Sequence, residues 1–397
     1  MNTMRKNKWR VLAFVALFGW TGGSMATTAR SSSQVEMHVD GEQTEQAQTK
    51  SVEAVRVMDF LKSIYGKQTL SGVTANVGWN LNEAKWVYQH TGKYPAMAFV
   101  DYVSLAYSPA NWIDYSDISE LETWWKANGL VGASWHWCVP CVEGSEDLSY
   151  VPGDGSIDQA TGKRNTTVFS AARALKKGTW ENRVMKADLK KLAGYLKLFR
   201  DHHIPVIWRP LHEAAGNIYN YPGGKAWFWW GADGADVYRQ LWKYMFDYFE
   251  KEELDNLIWV WTSQTKDEAF YPGDEYVDII GRDIYPMAEE RDTPQYMTGQ
   301  FETLTKAWPS KPVALTECGK REGVEWLENI STQWKNGARW LFFMPWYDYN
   351  RTLNPDSDDF NQKEHQFADI SWWNDALKQP YVLTRDQMPS FKTTKNQ

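Results

Sequence analysis

Beyond residue 50 the chain alternates between two hydrophobic rhythms. Eight short apolar runs read as strands: QTLSGV (68–73), AMAFVDY (96–102), LVGASWHW (130–137), IPVIWRPLHE (204–213), LIWVWTS (257–263), VDIIGRDIY (277–285), KPVALTE (311–317) and ARWLFFMPW (338–346). Between them apolar positions recur at three- and four-residue spacing. Leu189, Leu192, Leu196 and Phe199 do so before the fourth run, and Val237, Leu241, Tyr244 and Tyr248 after it, as on a helix with one buried face. Strands alternating with helices predict a parallel sheet with crossover helices. Eight such units are the count of an α/β fold closed as a (β/α)8 TIM barrel. An open doubly wound sheet usually carries a glycine-rich phosphate turn after its first strand, which SGVTANVGWN does not match. With no internal repeat and no break in composition, residues 51–390 are expected to form a single catalytic domain.

The N-terminus follows another pattern. Arg5, Lys6, Lys8 and Arg10 precede the apolar run VLAFVALFGW, and small residues follow with a cut expected after Ala26, so residues 1–26 read as an export signal peptide. The run is too short to span a bilayer. No cysteine near the cut offers a lipid anchor, and the mature protein is expected to be secreted or periplasmic. Residues 27–50 are polar and without apolar period, as in a linker.

Composition narrows the chemistry. A net charge of −7 argues against nucleic acid or an anionic membrane as the main partner, since either favours a basic face. The 24 Trp and 20 Tyr exceed what a core of this size needs, and flat rings stack on the apolar faces of sugars. Of Cys138, Cys141 and Cys318, an exported chain permits one disulfide and leaves one thiol over; whether Cys138 or Cys141 pairs with Cys318 stays open. CVPC beside His136 lacks a second ligand pair for zinc. The acidic NPDSDDFN (354–361) lacks the spacing of a calcium loop. Neither metal nor cofactor is expected.

In a barrel of this kind catalytic groups lie at the C-terminal ends of strands. Asp101, His136, Trp137, Arg209, His212, Glu213, Asp283, Tyr285, Glu317 and Trp346 all meet that demand. The long third loop, 138–184, is expected to wall a cleft. Glu213 ends the fourth strand and Glu317 the seventh, which are expected to face each other across the mouth and flank a scissile glycosidic bond. Arg209 and Tyr285 are expected to keep Glu317 charged, as a nucleophile requires, whereas the rings and glycines after Glu213 desolvate it and raise its pKa, as an acid requires. Asp101 and Asp348 have only position to suggest contact with sugar hydroxyls. Trp208, Trp259 and Trp261 read as packing, and His202 and His203 fall at the far end of the barrel.

RPLHEAAGN followed by WFWWG, then DIYP and LTECG, resembles glycoside hydrolase family 26, a retaining clan A family whose best-known members are β-1,4-mannanases. The resemblance covers nearly everything after residue 50. It implies Glu213 as acid/base and Glu317 as nucleophile. His212 is then implied to touch the sugar 2-hydroxyl or position the nucleophile, and Tyr285 to bond Glu317. It further implies that His136 lines the subsite on the non-reducing side, Trp346 forms the platform beneath that sugar, and Trp227 supports the leaving sugar, with the tryptophans of WFWWG holding it. The expected activity is hydrolysis of β-1,4-mannosidic linkages by a monomer without a cofactor. A β-1,3-xylanase, a mixed-linkage β-glucanase and, more distantly, a non-catalytic carbohydrate-binding barrel remain alternatives. IYNYPGGKA (218–226) departs from the family pattern, either narrowing the cleft or forming an inert surface turn.

Overall fold

The computed structural model describes residues 50–75, 79–103, 105, 113–287, 296–321, 324, 326–349 and 358–392. The signal peptide, nearly all of the linker, and residues 354–357 of the acidic stretch lie outside them.

All eight expected strands form. They are β1 (Thr69–Thr74), β2 (Met97–Asp101), β3 (Leu130–Trp135), β4 (Val206–Pro210), β5 (Leu257–Ser263), β6 (Ile279–Ile284), β7 (Val313–Cys318) and β8 (Phe342–Pro345). Each pairs in parallel with the next, and β8 pairs with β1 through Leu70 and Phe342 to close the ring. β4 and β7 are separated by β5 and β6. Glu213 and Glu317 therefore flank the mouth three strands apart rather than diametrically, because β8 is the strand opposite β4 in a ring of eight.

The helices α1 (Val52–Ile64), α2 (Asn82–Thr91), α3 (Ser119–Lys126), α4 (Trp180–Asp201), α5 (Ala235–Lys251), α6 (Tyr296–Ala307), α7 (Ile330–Lys335) and α8 (Ile370–Leu377) surround the ring. Ser51 and Thr179 cap α1 and α4 by accepting from Ala54 N and Asn182 N, satisfying donors that a helix start leaves bare. On α4 the expected Leu189, Leu192, Leu196 and Phe199 are buried. On α5 the seam is rotated: Tyr238, Leu241, Trp242, Met245 and Phe249 are buried, while Val237, Tyr244 and Tyr248 pack only at its margin. The larger rings of Trp242 and Phe249 take the inner face because Trp259 and Trp208 of the barrel wall meet them there. Between β5 and β6 only two short 3-10 turns, Glu268–Phe270 and Asp274–Tyr276, make the crossover.

Strand alternation sets what reaches the interior. Trp208, Trp259 and Trp261 face outward onto Phe249, Phe246 and Trp308, which turns Arg209 and Thr262 inward. His202 pairs with Glu122 at 3.1 Å on the surface. All three cysteines are free and buried, contrary to the expected single disulfide. Cys318 lies on β7 and the other two follow β3, with three strands between, too far round the ring for the short Cα separation a disulfide demands.

Candidate active site

Arg209 organises the mouth. It is fully buried. Its Nε donates to Thr262 on β5 at 2.9 Å, and Nη1 donates to Glu317 on β7 at 2.8 Å and, at 3.4 Å, to Ser134 on β3. Nη2 donates to Asp283 on β6, whose other oxygen accepts from Thr316 at 2.7 Å. One guanidinium thus ties five consecutive strands. Burial opposes its charge, but Asp283, Glu317 and Glu213 outweigh that and hold it protonated.

The two glutamates meet different surroundings. Glu317 sits near the end of β7, just past a register shift at Thr316, with Oε1 accepting from Arg209 and Oε2 from the Tyr285 hydroxyl at 2.8 Å. Glu213 lies beyond the strand, with φ of 51°, in a turn that also holds Leu211 at 49°. Its recorded hydrogen-bond partner is the neutral amide of Gln264, at 3.1 Å. Burial raises both carboxyls. Glu317 is pushed up to about 7, chiefly by desolvation and then by Asp283, with Arg209, His136 and Tyr285 opposing. Glu213 is driven well above the usual range by desolvation, then Asp283 and Glu317. The expected pull of Arg209 and Tyr285 towards a charged Glu317 is therefore opposed by burial and by Asp283, which shares Arg209. The order of ionisation still favours Glu317, since a cation and a hydroxyl contact its oxygens directly.

Left-handed backbone at two non-glycine residues is strained, and here it is gripped from behind. Tyr238 of α5 donates to Leu211 O at 3.0 Å, and Trp230 Nε1 donates to His212 O at 2.8 Å. A Cβ on Gly231 would fall 1.7 Å from Ala214 O, so the glycine that closes WFWWG lets this turn approach. Trp229 donates to Trp137 O at 2.8 Å. Trp229 and Trp230 are fully buried, which corrects the expectation that all these tryptophans hold sugar: two of them clamp the loops after β3 and β4. Trp227 remains half-exposed, its backbone against Gly216.

The histidines form a chain. Asp101 accepts from the backbone N of His136 at 3.1 Å and bonds its Nδ1; it is spent on His136 rather than offered to a sugar. His136 Nε2 lies 3.1 Å from His212 Nε2. Burial works against charge on His136, but Asp101 and Glu317 raise its pKa; His212, buried beside Arg209 and His136, is lowered and stays neutral. Among the described residues His212 makes no hydrogen bond to Glu317. Arg209 and Tyr285 do that work. Trp346 stands edge-on to His136 at 5.7 Å and donates to Tyr349 at 3.1 Å. Asp348 accepts from Gln366 N at 3.2 Å.

Sequence reasoning gave no role to Gln264, Phe228 or Tyr150. Gln264 follows the end of β5, the one barrel strand from β2 onward for which no candidate was named, so the strand-end rule itself points to it. Phe228 stacks on Trp230 at 4.4 Å and borders both histidines. Tyr150 brings the third loop to His136 at 5.6 Å, and nothing in its local sequence marks it. Among the described residues no group of three or more His, Cys, Asp or Glu is placed to hold a metal ion.

A closed parallel barrel with a half-buried glutamate after strand four and a buried one on strand seven, bordered by aromatic rings, has the architecture of the two-carboxylate glycoside hydrolases. The sequence profile of Glycosyl hydrolase family 26 matches residues 44–386, and the chain belongs to that family. It is 33% identical over 346 residues to a mannan endo-1,4-beta-mannosidase of Thermothelomyces thermophilus, covering 84% of this chain and 61% of that one. The solved GH26 domain of an endo-beta-mannanase/endo-beta-glucanase from Prevotella bryantii is 35% identical, with a TM-score of 0.72 over 85% of this chain and 97% of that one. A beta-mannanase from a symbiotic protist of the termite Reticulitermes speratus, solved with a gluco-manno-oligosaccharide, is 29% identical, with a TM-score of 0.66 over 88% of this chain and 100% of that one. The chain spans 49% to 61% of the length of the first three curated relatives it matches.

Proposed function

We propose that this chain hydrolyses β-1,4-linked mannan or manno-oligosaccharides by double displacement with net retention. The observation that carries the proposal is the asymmetry of the two glutamates: Arg209 and Tyr285 both donate to Glu317, whereas among the described residues a single neutral amide donates to the Glu213 side chain. Protonated Glu213 gives its proton to the glycosidic oxygen while a Glu317 oxygen attacks the anomeric carbon. The bond to the leaving sugar breaks and a glycosyl ester forms. Glu213, now a carboxylate, takes a proton from water; the water oxygen attacks the same carbon, and Glu317 is released.

Trp346 and His136 border the sugar on the non-reducing side, and Trp227 supports the sugar that departs. His212 is held neutral by burial, then by Arg209 and His136, and is oriented by its contact with His136. The β-mannan assignment rests on the mannosidase activity by which the relatives are named, together with family membership. Every side chain invoked comes from one chain, which fits action as a monomer. A substrate of polymer size fits an exported enzyme, the reading given to residues 1–26.

The test is digestion of unbranched β-1,4-mannan, with products resolved by length and new anomers followed by proton NMR, Glu317→Ala serving as the control. Early mixed β-configured oligosaccharides are expected. First-formed α-anomers would contradict retention, and absence of product would contradict the mannan assignment.

A further inference from the structure

Gln264, the neutral amide that meets Glu213, is held in place by two buried charged residues. Its backbone N donates to Asp267 Oδ2 at 2.6 Å, and the hydroxyl of Ser263, the last residue of β5, donates to Asp267 Oδ1 at 2.7 Å. Arg282 of β6 grips the chain on either side of Gln264: Nη1 donates to Ser263 O at 3.1 Å and Nη2 to Thr265 Oγ1 at 3.1 Å. Asp283 faces Arg209 in the mouth, so strand alternation turns Arg282 outward, where Nη2 also donates to Gln300 of α6 at 2.7 Å. Among the described residues neither Asp267 nor Arg282 bonds to Glu213.

Building such a support is costly. Asp267 is 2% exposed and Arg282 5%, and both Asp267 oxygens rest on neutral donors, an unfavourable setting for a carboxylate. Burial pushes Asp267 up to about 6, against the Gln264 N–H, the Ser263 hydroxyl and Arg282, so at neutral pH it is an ionised acceptor. Capping of the crossover does not explain it. Asp267 occupies the N-cap position of the turn Glu268–Phe270, where an aspartate ordinarily accepts from the N–H groups of its own turn, yet its side chain makes no such bond. It reaches backward instead, to the end of β5 and the residue that follows.

The consequence lies at Glu213. Gln264 Nε2 donates to Oε1 of that carboxyl at 3.1 Å. An oxygen at which an N–H already points is the poorer place for a second hydrogen, so the acidic proton falls to Oε2. A long, rotatable glutamine side chain can select one oxygen in this way only if the backbone that carries it is fixed.

We propose that Asp267 is a positioning residue for acid catalysis: by accepting from Gln264 N and Ser263 Oγ it fixes the Gln264 amide on Glu213 Oε1 and leaves the transferable proton on Oε2. This rests on the acid/base role given to Glu213 above.

Comparison of kcat/KM on mannohexaose and on a dinitrophenyl β-mannobioside, whose leaving group needs no proton, tests it. Asp267→Ala is expected to lower kcat/KM on mannohexaose roughly three- to fivefold, the scale of one hydrogen bond, and to leave it unchanged on the dinitrophenyl substrate. Added to Gln264→Ala it should cost nothing further. Asp267→Asn keeps an acceptor for Gln264 N and should recover most of the loss. If the alanine variant does not fold, Asp267→Ser, whose hydroxyl can cap the turn but stops one bond short of Gln264 N, takes its place with the same expectations. Equal losses on both substrates, a loss that multiplies with that of Gln264→Ala, a loss in Asp267→Asn as deep as in alanine, or an unchanged rate on mannohexaose overturns the role of Asp267 alone, provided Glu213→Ala loses far more on mannohexaose than on the dinitrophenyl substrate. Equal losses in Glu213→Ala itself overturn the acid/base reading and this inference together.

Discussion

The ends of β7 and β4 solve opposite problems with one shared arginine. At β7 the carboxylate projects from the strand just past a register shift at Thr316 and is gripped by two donors, whereas at β4 it projects from a strained turn whose backbone is gripped while the carboxylate meets one neutral amide. Fixing the side chain of Glu317 favours the charged, oriented form that attacks. Fixing the peptide of Glu213 places the carboxyl while a single neutral amide on Oε1 leaves it able to exchange a proton twice. Placement of donors thus separates two chemically identical groups.

The largest break in this comparison is Glu317→Ala, expected to lower kcat/KM by about 10⁴-fold or more on every substrate. Glu213→Ala should cost roughly 10² to 10⁴ on polysaccharide but spare bond cleavage on a dinitrophenyl glycoside, whose leaving group needs no proton. Burst kinetics on that substrate check it; equal losses on both would reverse the roles.

Tyr285→Phe removes a hydrogen bond to a charged oxygen and should lower kcat/KM by about ten- to a hundredfold. It also carries a signed pH effect. Glu317 must be ionised to attack, so activity falls as pH drops through its pKa of about 7. Tyr285 opposes that upward shift, and its loss should move the acidic limb to higher pH. Gln264→Ala is the smallest change, a few-fold in rate. Its amide favours ionised Glu213, so its loss should move the alkaline limb upward and leave the acidic limb in place.

Much of this was legible in the hydrophobic pattern, for a physical reason. Barrel strands are buried on both faces, so all eight runs stand out, and the strand-end rule then collects Arg209, Glu213, Tyr285 and Glu317. What failed depends on three-dimensional neighbours. IPVIWRPLHE reads as one strand to residue 213, but β4 stops at Pro210, because the chain then turns through left-handed Leu211 and Glu213. The rings of WFWWG look alike in sequence, and only packing separates half-exposed Trp227 from the buried clamps Trp229 and Trp230. Asp283 faces the same way as Tyr285, two residues on, yet its claim on Arg209 appears only when the strands close.

Trapping the intermediate tests the central claim most directly. The leaving group of an activated 2-deoxy-2-fluoro manno-oligosaccharide departs without help from an acid, and the fluorine slows hydrolysis of the ester by destabilising the cationic transition state. After proteolysis, mass spectrometry should find the sugar on the peptide containing Glu317, with none formed in Glu317→Ala. An adduct on Glu213 or Asp283 would contradict the assignment drawn from the contrast between the two strand ends.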